Sequence, residues 1–171
     1  YFKCLFSIDF TNFGYFLLAM SHTVEFALFA NKIAYLGSVF LETFMLLSII
    51  DLCNYKYKKI LPIALISTGV IMFLLICTTG YLPWYYESVS IERVNGATCL
   101  IKEYGVLHPV YLVYLVLYFV TMIGVIVHSV AKKKSQTQKI AGFLLFIVLI
   151  NIAVWFVEKF VENDFEFLSV S

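Results

Sequence analysis

The sequence predicts an all-α membrane protein, a bundle of about five transmembrane helices with a small extracellular β-hairpin between the third and the fourth. Hydrophobic residues make up 62% of the 171 residues and charged residues only 13%, and the mean hydropathy is +0.92. A soluble domain needs a more highly charged surface. Several apolar runs of about 18 residues or more are long enough to cross a bilayer, whereas barrel strands would be shorter and alternating.

Five membrane spans are expected, at residues 5–29, 33–53, 60–77, 106–131 and 140–157. The first is the least apolar, because His22, Glu25 and other polar residues lie inside it. Glu42 interrupts the second near its centre. The third has Pro62 in its first turn, where proline is tolerated. Together the spans form a single domain over residues 1–171, which we expect to be a piece of a larger membrane protein with at least one further span.

Residues 78–105 are the one long interruption between the apolar runs, and we predict an ordered cap there. Asn95 and Gly96 separate two strand-like runs, and this dipeptide favours a tight hairpin because both residues tolerate a positive φ angle. The first run, residues 88–92, alternates with period two, whereas the second run, residues 97–102, alternates poorly. The segment is therefore predicted to contain a β-hairpin.

The lysines predict the orientation of the chain in the cell membrane. One lysine cluster lies between the second and third spans and another between the fourth and fifth: Lys56, Lys58 and Lys59, and Lys132, Lys133, Lys134 and Lys139. Short lysine-rich loops stay on the cytoplasmic side. The start of this segment is therefore expected in the cytoplasm, and loop 78–105 and the carboxyl terminus outside.

Polar side chains within the spans indicate where a ligand would bind. A charge at the centre of a membrane helix costs roughly 2.5–3.5 kcal/mol, so each needs a reason. Most of these groups fall in the outer half of the bundle, which predicts an aromatic pocket open to the outside. The candidate ligand-binding residues are His22, Glu25, Glu42, Tyr85, His108, Tyr111, Asn151, Trp155 and Glu158.

The arrangement of these candidates is a further prediction. Helical spacing aligns His108, Tyr111, Tyr114 and Tyr118 on the fourth span. Asn151, Trp155 and Glu158 share one face of the fifth, and we expect that face to look toward His22 and Glu25 and toward His108 and Tyr111. Glu42 is expected to face other helices, on a stripe with Tyr35 and Ser38, and to be neutral or hydrogen-bonded, because burial disfavours a charged carboxylate.

A second interpretation of the aromatic residues is structural. Tyrosine and tryptophan concentrate at membrane interfaces, which favours an aromatic belt for Trp84, Tyr85, Tyr86 and Tyr104. Polar groups between helices also stabilise packing without binding any ligand.

Several other functions have no support in the sequence. No catalytic motif and no metal-ligand cluster is present, and no cofactor is expected. The four cysteines show no paired spacing. The basic residues form short clusters beside the membrane that suit anionic lipid rather than nucleic acid. The expected partners are the lipid bilayer and an unidentified small molecule, with a homodimer left open.

The order of features resembles the amino-terminal seven-helix sensor region of bacterial histidine kinases and of related diguanylate cyclases. The resemblance rests on Ala34-Tyr35-Leu36-Gly37, on Thr78-Thr79-Gly80-Tyr81 with Trp84-Tyr85-Tyr86, and on Tyr104-Gly105 through Tyr111 before a tyrosine-rich span. It covers nearly the whole chain. It implies that the five spans are helices two to six of that region, and that the catalytic output lies outside the segment.

These observations together predict a non-enzymatic sensory module that binds a small molecule and signals to a cytoplasmic histidine kinase or diguanylate cyclase domain. The alternative is a transporter or channel component that uses Glu42 as an intramembrane carboxylate. A structural subunit of a larger membrane complex is the third reading.

Overall fold

The computed structural model describes residues 2–94 and 96–132, together with the single positions 143, 146, 149, 150 and 153. In chain order the described elements are α1 (Phe2–Ala19), α2 (Val24–Leu52), α3 (Ile60–Cys77), β1 (Tyr86–Val94), β2 (Ala97–Tyr104) and α4 (His108–Ala131). The architecture is mostly helical, with one small antiparallel hairpin between α3 and α4.

The boundary between the first two helices differs from the predicted one at residues 29–33. The break lies at residues 20–23, where the Thr23 hydroxyl accepts a hydrogen bond from the backbone N–H of Phe26 at 3.3 Å and caps α2. Asn31 and Lys32 are polar residues between two apolar runs, a pattern that predicts a loop. In the structure both lie within α2, because Asn31 bonds to Tyr86 and the Lys32 ammonium lies 4.8 Å from the Tyr81 ring centre.

Helices α1 and α2 pack closely through small residues. Gly14 lies against the backbone of Ala34, and Gly37 lies against Ser7 and Thr11. A side chain at either glycine would overlap the neighbouring helix, so both positions permit a backbone approach of the kind that small residues provide in membrane helix pairs. This pair forms one wall of the bundle.

Three of the described helices are long and apolar enough to cross a membrane: α2, α3 and α4. Helix α3 coincides with the predicted third span, and α4 begins two residues after the predicted fourth. Helix α1 is not among the three, so the prediction of five spans is not confirmed. The predicted fifth span lies outside the described residues except for its single positions, which are helical.

The predicted hairpin is confirmed. β1 pairs antiparallel with β2 from Tyr86 opposite Tyr104 to Val94 opposite Ala97, with an irregularity between Tyr86 and Ser88. Gly96 has a φ angle of +89°, the left-handed conformation that a tight turn demands and glycine adopts easily. Asn95 lies outside the described residues.

The hairpin is fixed to the ends of α1 and α2. Ile91 and Leu100 form part of a small apolar cluster with buried Leu18. The hydroxyl of Thr98 donates to the backbone carbonyl of Ser21 at 2.6 Å, which ties β2 to the break between the helices.

The main apolar core lies among α2, α3 and α4 and extends to the base of the hairpin. It combines aliphatic side chains with buried tyrosines, and its most deeply buried members are Val39, Ile49, Ile76, Tyr85, Met122 and Ile126.

Candidate functional site

Two tyrosines at the base of the hairpin are buried inside the bundle. Tyr85 is 0% exposed and Tyr86 is 2% exposed, whereas Trp84 and Tyr104 are 49% and 53% exposed. The belt interpretation is therefore wrong for Tyr85 and Tyr86, since a belt residue lies at the lipid surface. The chain turns between α3 and β1, and both side chains point inward. Tyr85 contacts Tyr35 of α2 and His108 of α4, and Tyr86 bonds to Tyr35.

The ring of Tyr35 on α2 contacts two other tyrosine rings below the hairpin. Its ring centre lies 5.9 Å from that of Tyr85 and 5.3 Å from that of Tyr111 on α4, both with near-perpendicular ring planes. Such edge-to-face contacts are favourable between aromatic quadrupoles. Tyr35 therefore links α2 with the hairpin base and with α4.

Hydrogen bonds connect the same residues. The Tyr86 hydroxyl donates to the Tyr35 hydroxyl at 3.1 Å and accepts a bond from the Asn31 amide nitrogen at 3.4 Å. His108, at the first position of α4, lies 5.3 Å from the Tyr85 ring and stacks on Tyr104 at 3.8 Å. The hairpin base is thus attached to α2 and α4 by polar as well as apolar contacts.

The line of tyrosines continues along α4 into the bundle. The ring centres of Tyr111 and Tyr114 are 6.2 Å apart, and those of Tyr114 and Tyr118 are 4.5 Å apart. The predicted α4 stripe is confirmed, because His108 and all three tyrosines are buried. Its spacing of three, three and four residues keeps them on one helical face.

Threonines join this line to the other helices. The Thr43 hydroxyl of α2 donates to the Tyr118 hydroxyl at 3.2 Å and lies 3.3 Å from that of Tyr114. Tyr114 itself donates to the backbone carbonyl of Val39 at 2.9 Å. Thr68 of α3 lies 3.0 Å from the Tyr118 hydroxyl, so α2, α3 and α4 meet at one group of hydroxyls.

We call this connected set the tyrosine network. It comprises Tyr35, Tyr85, Tyr86, Tyr111, Tyr114 and Tyr118 with the polar residues Asn31, Thr43 and Thr68.

Glu42 lies beside the tyrosine network. Its side chain is half-buried, and its Oε2 atom is inaccessible to solvent and has no hydrogen-bond partner among the described residues. On α2 Glu42 directly precedes Thr43, which bonds to Tyr118 of the network. The prediction that Glu42 faces other helices is confirmed, but the structure shows no bond to that oxygen.

The remaining predicted residues do not join the network. His22 and Glu25 are exposed, and they do not share one helix, because His22 precedes the cap of α2. His22 lines a cavity of about 280 Å³ beside the hairpin residues Glu92 and Arg93. The predicted convergence of His22, Glu25, His108 and Tyr111 with one face of the fifth span stays a prediction, because that face falls outside the described residues. Asn151, Trp155 and Glu158 lie outside the described residues.

Sequence reasoning missed several members of the network. The predicted spans place Asn31 between the first two helices, and the sequence pattern gives Thr43 and Thr68 no role. Helical periodicity could have identified two of them, because Asn31 and Thr43 both lie on the buried face of α2. Tyr86 was assigned to the interface because hydropathy does not reveal which aromatic side chains turn inward.

No metal site is formed by the residues that the structure describes. Among them no group of three or more His, Cys, Asp or Glu side chains is close enough to hold an ion. No disulfide bond joins any of the four cysteines of the described residues.

Comparison with known proteins decides the family. A family model for the N-terminal 7TM region of histidine kinase matches residues 1–169. The chain belongs to this family. The resemblance seen in the sequence is thereby confirmed, and the match identifies the chain as a non-catalytic sensor region, while it gives no support to a transporter or channel component. Neither the curated proteins nor the solved structures gave a match to the sensor region.

Proposed function

We propose that this sensor region binds a small molecule at the tyrosine network and passes the resulting change in helix packing to a cytoplasmic output domain, a histidine kinase or a diguanylate cyclase. The observation that carries the proposal is the continuity of the network. It begins at the hairpin, which we expect outside the cell, and reaches hydroxyls shared by α2, α3 and α4.

A change at the hairpin base has a direct physical route into the bundle. Moving Tyr86 alters its bonds to Tyr35 and Asn31, and Tyr35 packs in turn against Tyr111. A ligand shifts the output only if it binds two helix arrangements with different affinities. Hydrogen bonds between membrane helices contribute only about 0.6 kcal/mol on average, so the hydroxyls of the network can exchange partners between two such arrangements at small cost.

The test uses the full-length protein in lipid vesicles and measures histidine autophosphorylation from ATP. Tyr86→Phe keeps the ring and removes the hydroxyl that joins Tyr35 and Asn31. We expect basal autophosphorylation to change by at least about fivefold, the lower end of common coupling energies. Tyr81→Phe is the matched control, because Tyr81 is 83% exposed and lies outside the network. Equal activity of both variants and the unmodified protein would contradict the proposal.

A further inference from the structure

Glu42 carries a buried carboxyl oxygen that bonds to none of the described residues. Its Oε2 atom has no hydrogen-bond partner among the described residues, although ionisable groups inside membrane helices are costly and normally paired. Such an atom normally marks a missing partner, since buried polar groups are otherwise satisfied. The chemistry of its surroundings indicates what that partner is.

The neighbouring hydroxyl protons are already committed. Ser38, one turn earlier on α2, donates to the Ala34 carbonyl at 3.1 Å. Thr43 donates to Tyr118, and Tyr114 donates to Val39. These three hydroxyl protons are therefore not available to the Oε2 atom of Glu42.

No cation on the described helices compensates the carboxylate. Helices α1 to α4 contain two lysines and no arginine. The Lys3 ammonium lies over the Phe44 ring at 5.6 Å, and the Lys32 ammonium lies over the Tyr81 ring at 4.8 Å. Both lysines are thus engaged elsewhere.

A second unused acceptor lies on the same face of α2, nearer to the hairpin. Asn31 is fully buried, and its Oδ1 atom has no partner among the described residues, although its nitrogen donates to Tyr86. Eleven residues separate Asn31 from Glu42, which is about three helical turns and keeps both on one side of the helix. Tyr35 lies between them along α2, and its ring packs against that of Tyr111 on α4.

Both atoms can accept hydrogen bonds, one belongs to an acidic group, and the ring of Tyr35 lies between them along α2 in contact with Tyr85 and Tyr111. Neither atom is bonded to a lysine or arginine among the described residues, and tyrosine faces attract cations. We propose that the ligand of this sensor region is a protonated primary amine with an apolar body, whose ammonium group binds Glu42 after passing Asn31 from the hairpin end. This inference rests on the proposed function, because it names the ligand class of the same network.

The experiment measures binding of radiolabelled 2-phenylethylamine to the full-length protein in phosphatidylcholine vesicles. These lipids carry no net charge, and protein-free vesicles give the partition background. Unlabelled 2-phenylethanol and the N,N,N-trimethyl derivative of the amine compete in parallel. We expect the primary amine to bind at least about tenfold more tightly than either competitor, since only the amine has both the charge and N–H donors.

Variants locate the site. Glu42→Gln should abolish the preference for the amine over the alcohol, whereas Glu42→Asp should retain it, because the carboxylate is kept. Asp9→Asn is the matched control, since Asp9 is an exposed carboxylate on α1. Thermal unfolding of each variant checks the fold. The proposal is overturned if the alcohol or the trimethyl derivative binds as tightly as the amine, or if Glu42→Gln keeps the preference.

The outcome is separable from that of the proposed function. If Tyr86→Phe changes autophosphorylation while amine binding is independent of Glu42, the sensory role stands and the ligand class is wrong. If amine binding requires Glu42 while Tyr86→Phe leaves the output unchanged, the site exists but the network does not transmit its occupancy.

Discussion

At the scale of single residues, the site depends on hydroxyl groups that serve two helices at once. Thr43 shows this most clearly, because its one hydroxyl lies within hydrogen-bond distance of Tyr114 and Tyr118. In a membrane such a group has no water to replace a lost partner. The same hydroxyl therefore contributes to stability and fixes the relative rotation of α2 and α4.

Thr43→Val should destabilise the bundle, since valine keeps the shape and removes the shared hydroxyl. Hydrogen bonds between membrane helices contribute about 0.6 kcal/mol on average and about 1.7 kcal/mol at most. We expect a loss of free energy of unfolding within that range, measured by denaturant titration in mixed micelles. Thr121→Val is the control, because Thr121 is exposed and donates only to Leu117 of its own helix. If Thr121→Val lowers the free energy of unfolding as much as Thr43→Val does, the hydrogen bonds of Thr43 to α4 do not add to stability.

At the scale of elements, the features that local sequence determines were predictable. Helix α3 and most of α4 follow from uninterrupted apolar runs, and the hairpin follows from its turn dipeptide. The start of α2 did not follow, because Asn31 and Lys32 find their partners on the distant residues Tyr86 and Tyr81. Polarity alone cannot separate a loop from a helix whose polar groups are satisfied by tertiary contacts.

The candidate site likewise has features that the sequence predicts and features that depend on contacts between elements. The α4 tyrosines were predictable because the spacing within one helix determines which residues share a face. The pairing of Thr43 with Tyr118 was not, since it depends on the rotation of α2 relative to α4. The inward turn of Tyr85 was not predictable either, because it results from the path of the chain between α3 and β1.

Gly96→Val should loosen the hairpin. The φ angle of +89° is unfavourable for an L-residue by roughly 1–2 kcal/mol, and no atom within 4 Å of the added Cβ would complicate the effect. We expect trypsin to cleave after Arg93 or Lys102 about tenfold faster in the folded protein, because local opening becomes more frequent.

Gly96→Asn is the matched control for this substitution, since asparagine tolerates positive φ angles. Its cleavage rate should stay within about twofold of that of the unmodified protein. If valine and asparagine give the same rate, the conformation of the turn does not govern the stability of the hairpin.

At the scale of the whole molecule, membership of the sensor family and three apolar helices establish an integral membrane protein. Under the proposed function, the side of the membrane to which the tyrosine network opens decides which compartment the ligand comes from. Helix α2 is about 43 Å long at 1.5 Å per residue, longer than the hydrocarbon layer of roughly 30 Å. Its excess length leaves room for Asn31 near one interface and Glu42 deeper in the bundle, so the direction of the chain determines the side from which a ligand reaches them.

Cysteine labelling in intact cells tests that direction. The lysine clusters predict that residue 135 is cytoplasmic and that the exposed Ser90 on β1 is outside. All native cysteines of the full-length protein, including the four of this segment, are first replaced by alanine, and Ser90→Cys and Ser135→Cys are then made separately. A membrane-impermeant maleimide should label the Ser90→Cys variant in intact cells and the Ser135→Cys variant only after permeabilisation. The reverse pattern would place the hairpin and the entrance to the tyrosine network in the cytoplasm, and the ligand would then be an intracellular molecule.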